Sequence, residues 1–168
     1  MSISMYQASM PGMLHTLSAL SSILDKAEAY CAAKKIEPAV MTSTRLVPDM
    51  FPLSRQIQIA CDFPKGAAAR LSGQEVPSWP DTETTFGELK ARIARTIEFV
   101  KSIPPASIDG SENRDIKMKV GGQDMEFKGQ AYLTHFVLPN FYFHSATAYA
   151  ILRSSGVGIG KRDFLGMA

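Results

Sequence analysis

Three histidines, His15, His135 and His144, and two cysteines, Cys31 and Cys61, carry most of the nucleophilic and metal-binding potential of this chain. A catalytic zinc site ordinarily needs three ligands of His, Cys, Asp or Glu type and an open position for water. The spacing works against one. His135 and His144 are nine residues apart, and at about 100° per residue a regular helix turns them to opposite sides. His15 stands beside Leu14 on a different helix. The cysteines form no CxxC pair, and each falls within an apolar helical pattern, where the thiol serves as a small buried hydrophobe. Without a disulfide framework they indicate a reducing cytoplasm.

Two other features invite a chemical reading and fail it. The run Gly156-Val-Gly-Ile-Gly-Lys161 looks like a phosphate-cradling loop. Such a loop lies between a strand and a helix, whereas this one follows a helix and leaves no room for another after Lys161, so it is expected to be a helix-terminating tail. The consecutive aromatics Phe141, Tyr142 and Phe143 point around much of a helix, which suits core and interface better than a stacking platform.

The background composition is that of one folded domain. The 168 residues are 45% hydrophobic and 20% charged, too apolar for disorder, and no composition shift divides them. Lys and Arg total 18 against 16 Asp and Glu, for a net charge of +2. Lys34, Lys35, Arg45, Arg55, Arg70, Arg92 and Arg95 are scattered, which argues against a nucleic-acid footprint or a polybasic membrane anchor. The apolar stretch from Met10 to Leu24 is broken by Pro11, His15 and several serines; it is expected to be neither a signal peptide nor a membrane span.

Periodicity then supplies the elements. Ile3, Tyr6, Met10, Met13, Leu14, Leu17, Leu20, Leu24, Ala27 and Cys31 recur in steps of three and four, tracing one face of a long first helix. Pro11 either kinks it or sits in the first turn of a helix starting at Ser9. A second helix opens at Pro48-Asp49, with Asp49 as cap, and runs to Gly73 with a bend at Pro64. The segment from Gly73 to Asp81 is an ordered loop. Thr85-Phe-Gly-Glu88 matches a capping box and begins a third helix that ends before Pro104. Strict alternation over Ile116–Val120 and Gln123–Phe127, around Gly121-Gly122, predicts a β-hairpin pairing Val120 with Gln123, Met118 with Met125 and Ile116 with Phe127. A lone hairpin is marginal in water, so its apolar face must dock on the helices. A fourth helix runs from about Gly129 to Ser155 with a kink at Pro139. The expected fold is all-α, an antiparallel four-helix bundle with a small docked hairpin between the third and fourth helices.

The segments RLVPDMFPLSRQIQIACDF (Arg45 to Phe63), PNFYFHSATAYAILRSSGV (Pro139 to Val157) and IGKRDFLG (Ile159 to Gly166), with the helix order, resemble the DinB/YfiT-like four-helix superfamily. Within it the chain is similar to an uncharacterised bacterial branch. The resemblance implies a divalent metal held by one His on the second helix and by an HxxxH pair on the fourth, and metal-dependent thiol transferase or hydrolase activity. Carried over by position, the second His of the pair is His144, the first falls on Asn140, and the second-helix ligand falls on Gln56. One imidazole of three remains. Amide oxygens suit hard cations and are weak partners for zinc or nickel, so no metal and no cofactor is expected.

His144 and Asn140, four residues apart, share a helix face. Two readings of their surroundings stay open. In one, Asp49 is an N-cap and Arg55 a solvated surface group. In the other, Gln56, Asn140 and His144 converge on a small polar ligand, with Arg55 and Asp49 at its edge. The function expected is that of a small-ligand-binding or regulatory protein without the superfamily metal. The alternatives are a thiol-dependent transferase or hydrolase working through His144, and a structural homodimer. Helix-4 aromatics in excess of one core stripe make a homodimer the expected state.

Overall fold

A computed structural model describes residues 3–167. Helix α1 spans Met10–Lys34, with Pro11 in its first turn. Proline is tolerated there because the first helical N–H groups lack intrahelical partners in any case. The residues before Met10 form turns rather than an extension of the helix, and Ser9 spends its hydroxyl on the Met5 carbonyl, at 2.6 Å, instead of capping. Met10, Met13, Leu17, Leu20, Leu24, Ala27 and Cys31 are all buried, as their spacing requires, whereas Ile3, the first residue of that series, is exposed. A short helix α2, Pro38–Ser43, follows.

Helix α3 spans Leu53–Ser72 with Pro52 in the capping position, four residues later than the expected start. The cause is local. The residue before a proline is biased away from the α region, and Pro52 itself is extended, with ψ of 168°, so the helix begins only after it. Asp49 is left in an exposed turn and caps nothing. The helix continues through buried Pro64 and ends at Gly73, whose φ of 78° is the left-handed conformation that glycine takes at least cost. Helix α4, Phe86–Ser102, has its capping box. The Glu88 amide donates to Thr85 Oγ1 at 3.2 Å, and Glu88 Oε2 accepts from the Thr85 amide at 2.9 Å and the Thr84 amide at 2.8 Å. Those backbone donors, Thr84 first, hold the Glu88 carboxyl down to about 2.

After a turn of helix, α5 (Pro105–Ile108), strands β1 (Asp115–Val120) and β2 (Gln123–Lys128) form an antiparallel pair. Its register is the one read from the alternation, Val120 opposite Gln123, Met118 opposite Met125 and Ile116 opposite Phe127. Gly121 and Gly122 both have positive φ, 57° and 83°, which a two-residue turn between twisted strands requires.

The last long helical segment is not one regular helix kinked at Pro139. It is a short α6 (Gly129–Ala131), a π-helical stretch over Tyr132–Val137, and α7 (Leu138–Ser154). The Leu138 amide bonds the Leu133 carbonyl, five residues back. Pro139 has no N–H to continue an α-helical ladder, and Asn140 reaches back with its side-chain amide to the Phe136 carbonyl at 2.7 Å. The tail after Gly156 does hold another turn of helix, α8 (Lys161–Phe164), contrary to expectation. It fits because Asp163 accepts from the Gly160 amide at 2.7 Å and pairs with Lys26 of α1.

The molecule is mostly helical with one two-stranded sheet. Helix α3 packs against α7, α4 and α1, and α1 also meets α4, α7 and α8. Tyr132, Phe86 and Phe141 are the largest side chains fully enclosed among them. No helix of the described residues is long and apolar enough to cross a membrane.

Candidate functional site

Packing α3 against α7 brings Gln56 and His144 together in the interior. Gln56 is 2% exposed and His144 9%. Gln56 Oε1 lies 2.7 Å from His144 Nδ1, and Gln56 Nε2 donates to the Phe51 carbonyl at 3.1 Å. The second bond decides the first. An amide whose nitrogen is committed to a carbonyl presents only its oxygen to the imidazole, so Nδ1 carries the proton and Nε2 the lone pair. Nε2 has no protein partner among the described residues. Burial, reinforced by the charge of Arg55, lowers the His144 pKa and keeps the ring neutral. Phe63 of α3 stacks on it, with centroids 6.0 Å apart and planes 18° from parallel.

The aromatic series continues outward. Phe63 meets Phe136 edge-on at 5.7 Å, and Phe136 stacks on Tyr132 at 6.0 Å. These three rings, with Met118 and Val120 of the hairpin, line a cleft of about 670 Å³. Arg55, Lys65, Arg70 and Lys119 stand around it, with Asp62 as the sole acid. Most of this charge is already spent. Arg55 pairs with Asp81 and Lys65 with Asp62 at 2.7 Å, while Lys119 faces Asp124 at 3.8 Å. Arg70 differs: its Nη1 donates to Tyr132 Oη at 3.1 Å, and no carboxylate pairs with it among the described residues. The Arg70 Nη1 reaches back one turn to lie over Gly66 of the same helix. Burial pushes the Tyr132 hydroxyl up despite the nearby cation, so it stays protonated and neutral.

Of the residues singled out from the sequence, the fold therefore joins Gln56 to His144. Asn140 turns its amide to the helix backbone, and Asp49 is exposed with no side-chain bond among the described residues. Arg55 acts on His144 through charge only, while its own bonds go to Asp81 and to Gln58 Oε1 at 3.3 Å. His15 is exposed against the Leu165 carbonyl at 2.7 Å, and His135 is exposed. Both cysteines are buried and unpaired, and burial pushes the Cys61 thiol up to about 12.

The donor set does not fit a catalytic divalent metal. Gln56 and Asn140 offer amides, and Gln56 Oε1 is engaged with the very imidazole that would be its co-ligand. Among the described residues no three His, Cys, Asp or Glu side chains cluster.

Residues 5–165 match the family model described as a domain of unknown function, DUF1993. The chain belongs to the DUF1993 family. It is also similar to a solved structure, the crystal structure of a DinB family member protein from Shewanella denitrificans, with 39% identity and a TM-score of 0.83 over 92% of this chain and 87% of that one. No curated protein matches it.

Sequence reasoning missed two parts of this DUF1993 site. Arg70 stands in the sequence as one of the scattered basic residues, and its contact with Tyr132, 62 residues away, has no local signal. Arg92, counted among scattered surface charges, is 4% exposed. Its guanidinium bonds Glu83 at 3.0 and 3.2 Å, Asp62 at 3.0 Å, Asp81 at 2.9 Å and the Pro80 carbonyl at 3.1 Å. That hub anchors the loop between α3 and α4, where Lys65 and Arg95 lie 4.6 and 4.3 Å from the centroid of Trp79. A signal was present: Arg92 stands three residues after Leu89 and four before Thr96, on the buried face of α4.

Proposed function

We propose that this DUF1993 protein is a metal-free small-ligand-binding protein of the DinB-like kind, and that the cleft beside His144 takes an amphipathic anion. The observation that carries this reading is Arg70, a guanidinium without a carboxylate partner at the edge of an aromatic cleft of about 670 Å³. An apolar floor with few convergent polar groups is the usual character of a small-molecule site. An apolar body on Phe63, Phe136 and Met118 places its anionic end at Arg70. We read the packing of α1, α3, α4 and the α6–α7 segment as an antiparallel four-helix bundle, the chain as cytoplasmic from its two unpaired cysteines, and the molecule as a homodimer.

Titration calorimetry with 4-phenylbutyrate, in buffer containing EDTA, tests the proposal. Binding is expected in the chelator, and Arg70→Met weakens it at least about tenfold, the cost of one charge-assisted bond. Absence of binding, or binding that appears only when Zn²⁺ or Ni²⁺ replaces the chelator, overturns it. The enzyme reading retains one supporting observation, the unpartnered Nε2 of His144; it requires a substrate whose turnover is abolished by His144→Ala.

A further inference from the structure

The aromatic cleft is long as well as apolar. Arg55, Ile59 and Phe63 line it at steps of four along α3, and Arg70 follows seven residues later, so all four project from one face of the helix. At about 1.5 Å of rise per residue, the stretch of α3 from Arg55 to Arg70 runs for about 22 Å. A molecule the size of 4-phenylbutyrate covers less than half of that. We propose, building on the cleft reading above, that the ligand is a long-chain monocarboxylate, with its head on Arg70 and Tyr132 and its unbranched tail laid along α3 past Phe63 to Ile59.

Charge places the head. Along the cleft Arg55 is paired with Asp81, Lys119 with Asp124 at 3.8 Å and Lys65 with Asp62 at 2.7 Å, and Asp62 is held by Arg92 as well, at 3.0 Å. Arg70 is the cleft cation that forms no ion pair among the described residues. One free cation selects one anionic charge. Beside it, Tyr132 Oη accepts from Arg70 Nη1 at 3.1 Å, and the phenol's own proton has no acceptor among the described residues. A carboxylate held by the guanidinium can therefore accept from the phenol too. Burial keeps that phenol protonated.

The walls select the tail. Ile59 and Phe63 of α3, Phe136, which meets Phe63 at 5.7 Å, and Met118 of the hairpin supply apolar surface to the cleft. A ligand carrying hydroxyls along its length would leave them unpaired against such walls. A methylene chain instead gains from every group it withdraws from water. Past Arg55 the cleft reaches Phe51, which is 55% exposed, so that end is open to water and no wall stops a long tail.

Calorimetry on the full chain, with every ligand below its micelle threshold, compares octanoate with myristate. A methylene leaving water is worth about fourfold in affinity, and with partial burial myristate is expected to bind at least about 50-fold more tightly. Octanoate ends near Phe63, about 10 Å along the helix from Arg70, and only the longer tail reaches Ile59. Ile59→Asp, at a partly exposed position, should therefore remove most of the gain in myristate while octanoate binds as before. Circular dichroism verifies its fold, and Ile59→Asn takes its place if it does not fold. Tyr132→Phe should weaken both carboxylates by one common factor, about threefold to tenfold, and leave the length dependence intact. Tetradecyltrimethylammonium, with the tail of myristate and a cationic head, should bind at least about tenfold more weakly than myristate. Equal affinity of octanoate and myristate, or a gain that survives in the folded Ile59 variant, overturns the long tail site and leaves the cleft reading standing. Loss of the length dependence in Tyr132→Phe, or binding of the cation as tight as that of myristate, overturns the head assignment. If no carboxylate binds, 4-phenylbutyrate included, both readings fall.

Discussion

Replacing Gln56 with leucine probes the hydrogen-bonded pair on which the tautomer of His144 depends. Leucine fills a similar volume on α3 and removes both polar atoms. The buried bond to His144 Nδ1, at 2.7 Å, is lost, and the imidazole N–H is left facing an apolar side chain. An orphaned buried donor costs about 1–3 kcal/mol. The Phe51 carbonyl also loses its partner, but the bond is only partly buried and Phe51 is exposed, so water replaces much of it and that loss is about 0.5 kcal/mol. A destabilisation of about 2–3 kcal/mol is expected, a large share of the 5–15 kcal/mol typical of a whole domain. Urea unfolding of the parent, Gln56→Leu, His144→Leu and the double variant isolates the pair. The double variant should be less destabilised than the sum of the singles by about 1–2 kcal/mol, because removing both partners leaves nothing orphaned. Additivity within about 0.5 kcal/mol would show that the two side chains do not depend on each other and would sink the argument.

Since the folded-state pKa of His144 lies below that of the unfolded chain, the unfolded state binds the extra proton first as pH falls. Stability should therefore be full above about pH 6.5 and decline toward pH 5, and His144→Leu should flatten that part of a melting-temperature profile; an unchanged slope refutes it. Arg92→Met leaves Asp62, Asp81 and Glu83 facing one another without their shared cation. A loss of about 3 kcal/mol is expected in urea unfolding, together with a red shift of Trp79 fluorescence as the loop loosens, and a change below about 1 kcal/mol would contradict the hub. Phe143 and Tyr142 on α7 are 56% and 41% exposed, and light scattering should report a dimer at micromolar concentration that Phe143→Glu converts to monomer; a monomeric parent rules out this interface.

Local rules determined the elements whose causes lie within a few residues. The capping box at Thr85 and Glu88, the hairpin register around Gly121-Gly122 and the buried stripe of α1 all follow from short-range hydrogen bonding, turn geometry and periodicity. Where two local rules competed, the weaker was misread. Asp49 is a good capping residue, but Pro52 is extended and biases Phe51 away from the helix, which together outweigh a cap worth about 1 kcal/mol. Likewise the periodicity of the last helix was legible, but not the π turns ahead of Pro139. Tertiary structure alone decided the site. Gln56 and His144 are 88 residues apart, and Arg70 and Tyr132 are 62 apart. Their contacts depend on how α3 is rotated and set against the last helical segment, a packing choice made by the whole core.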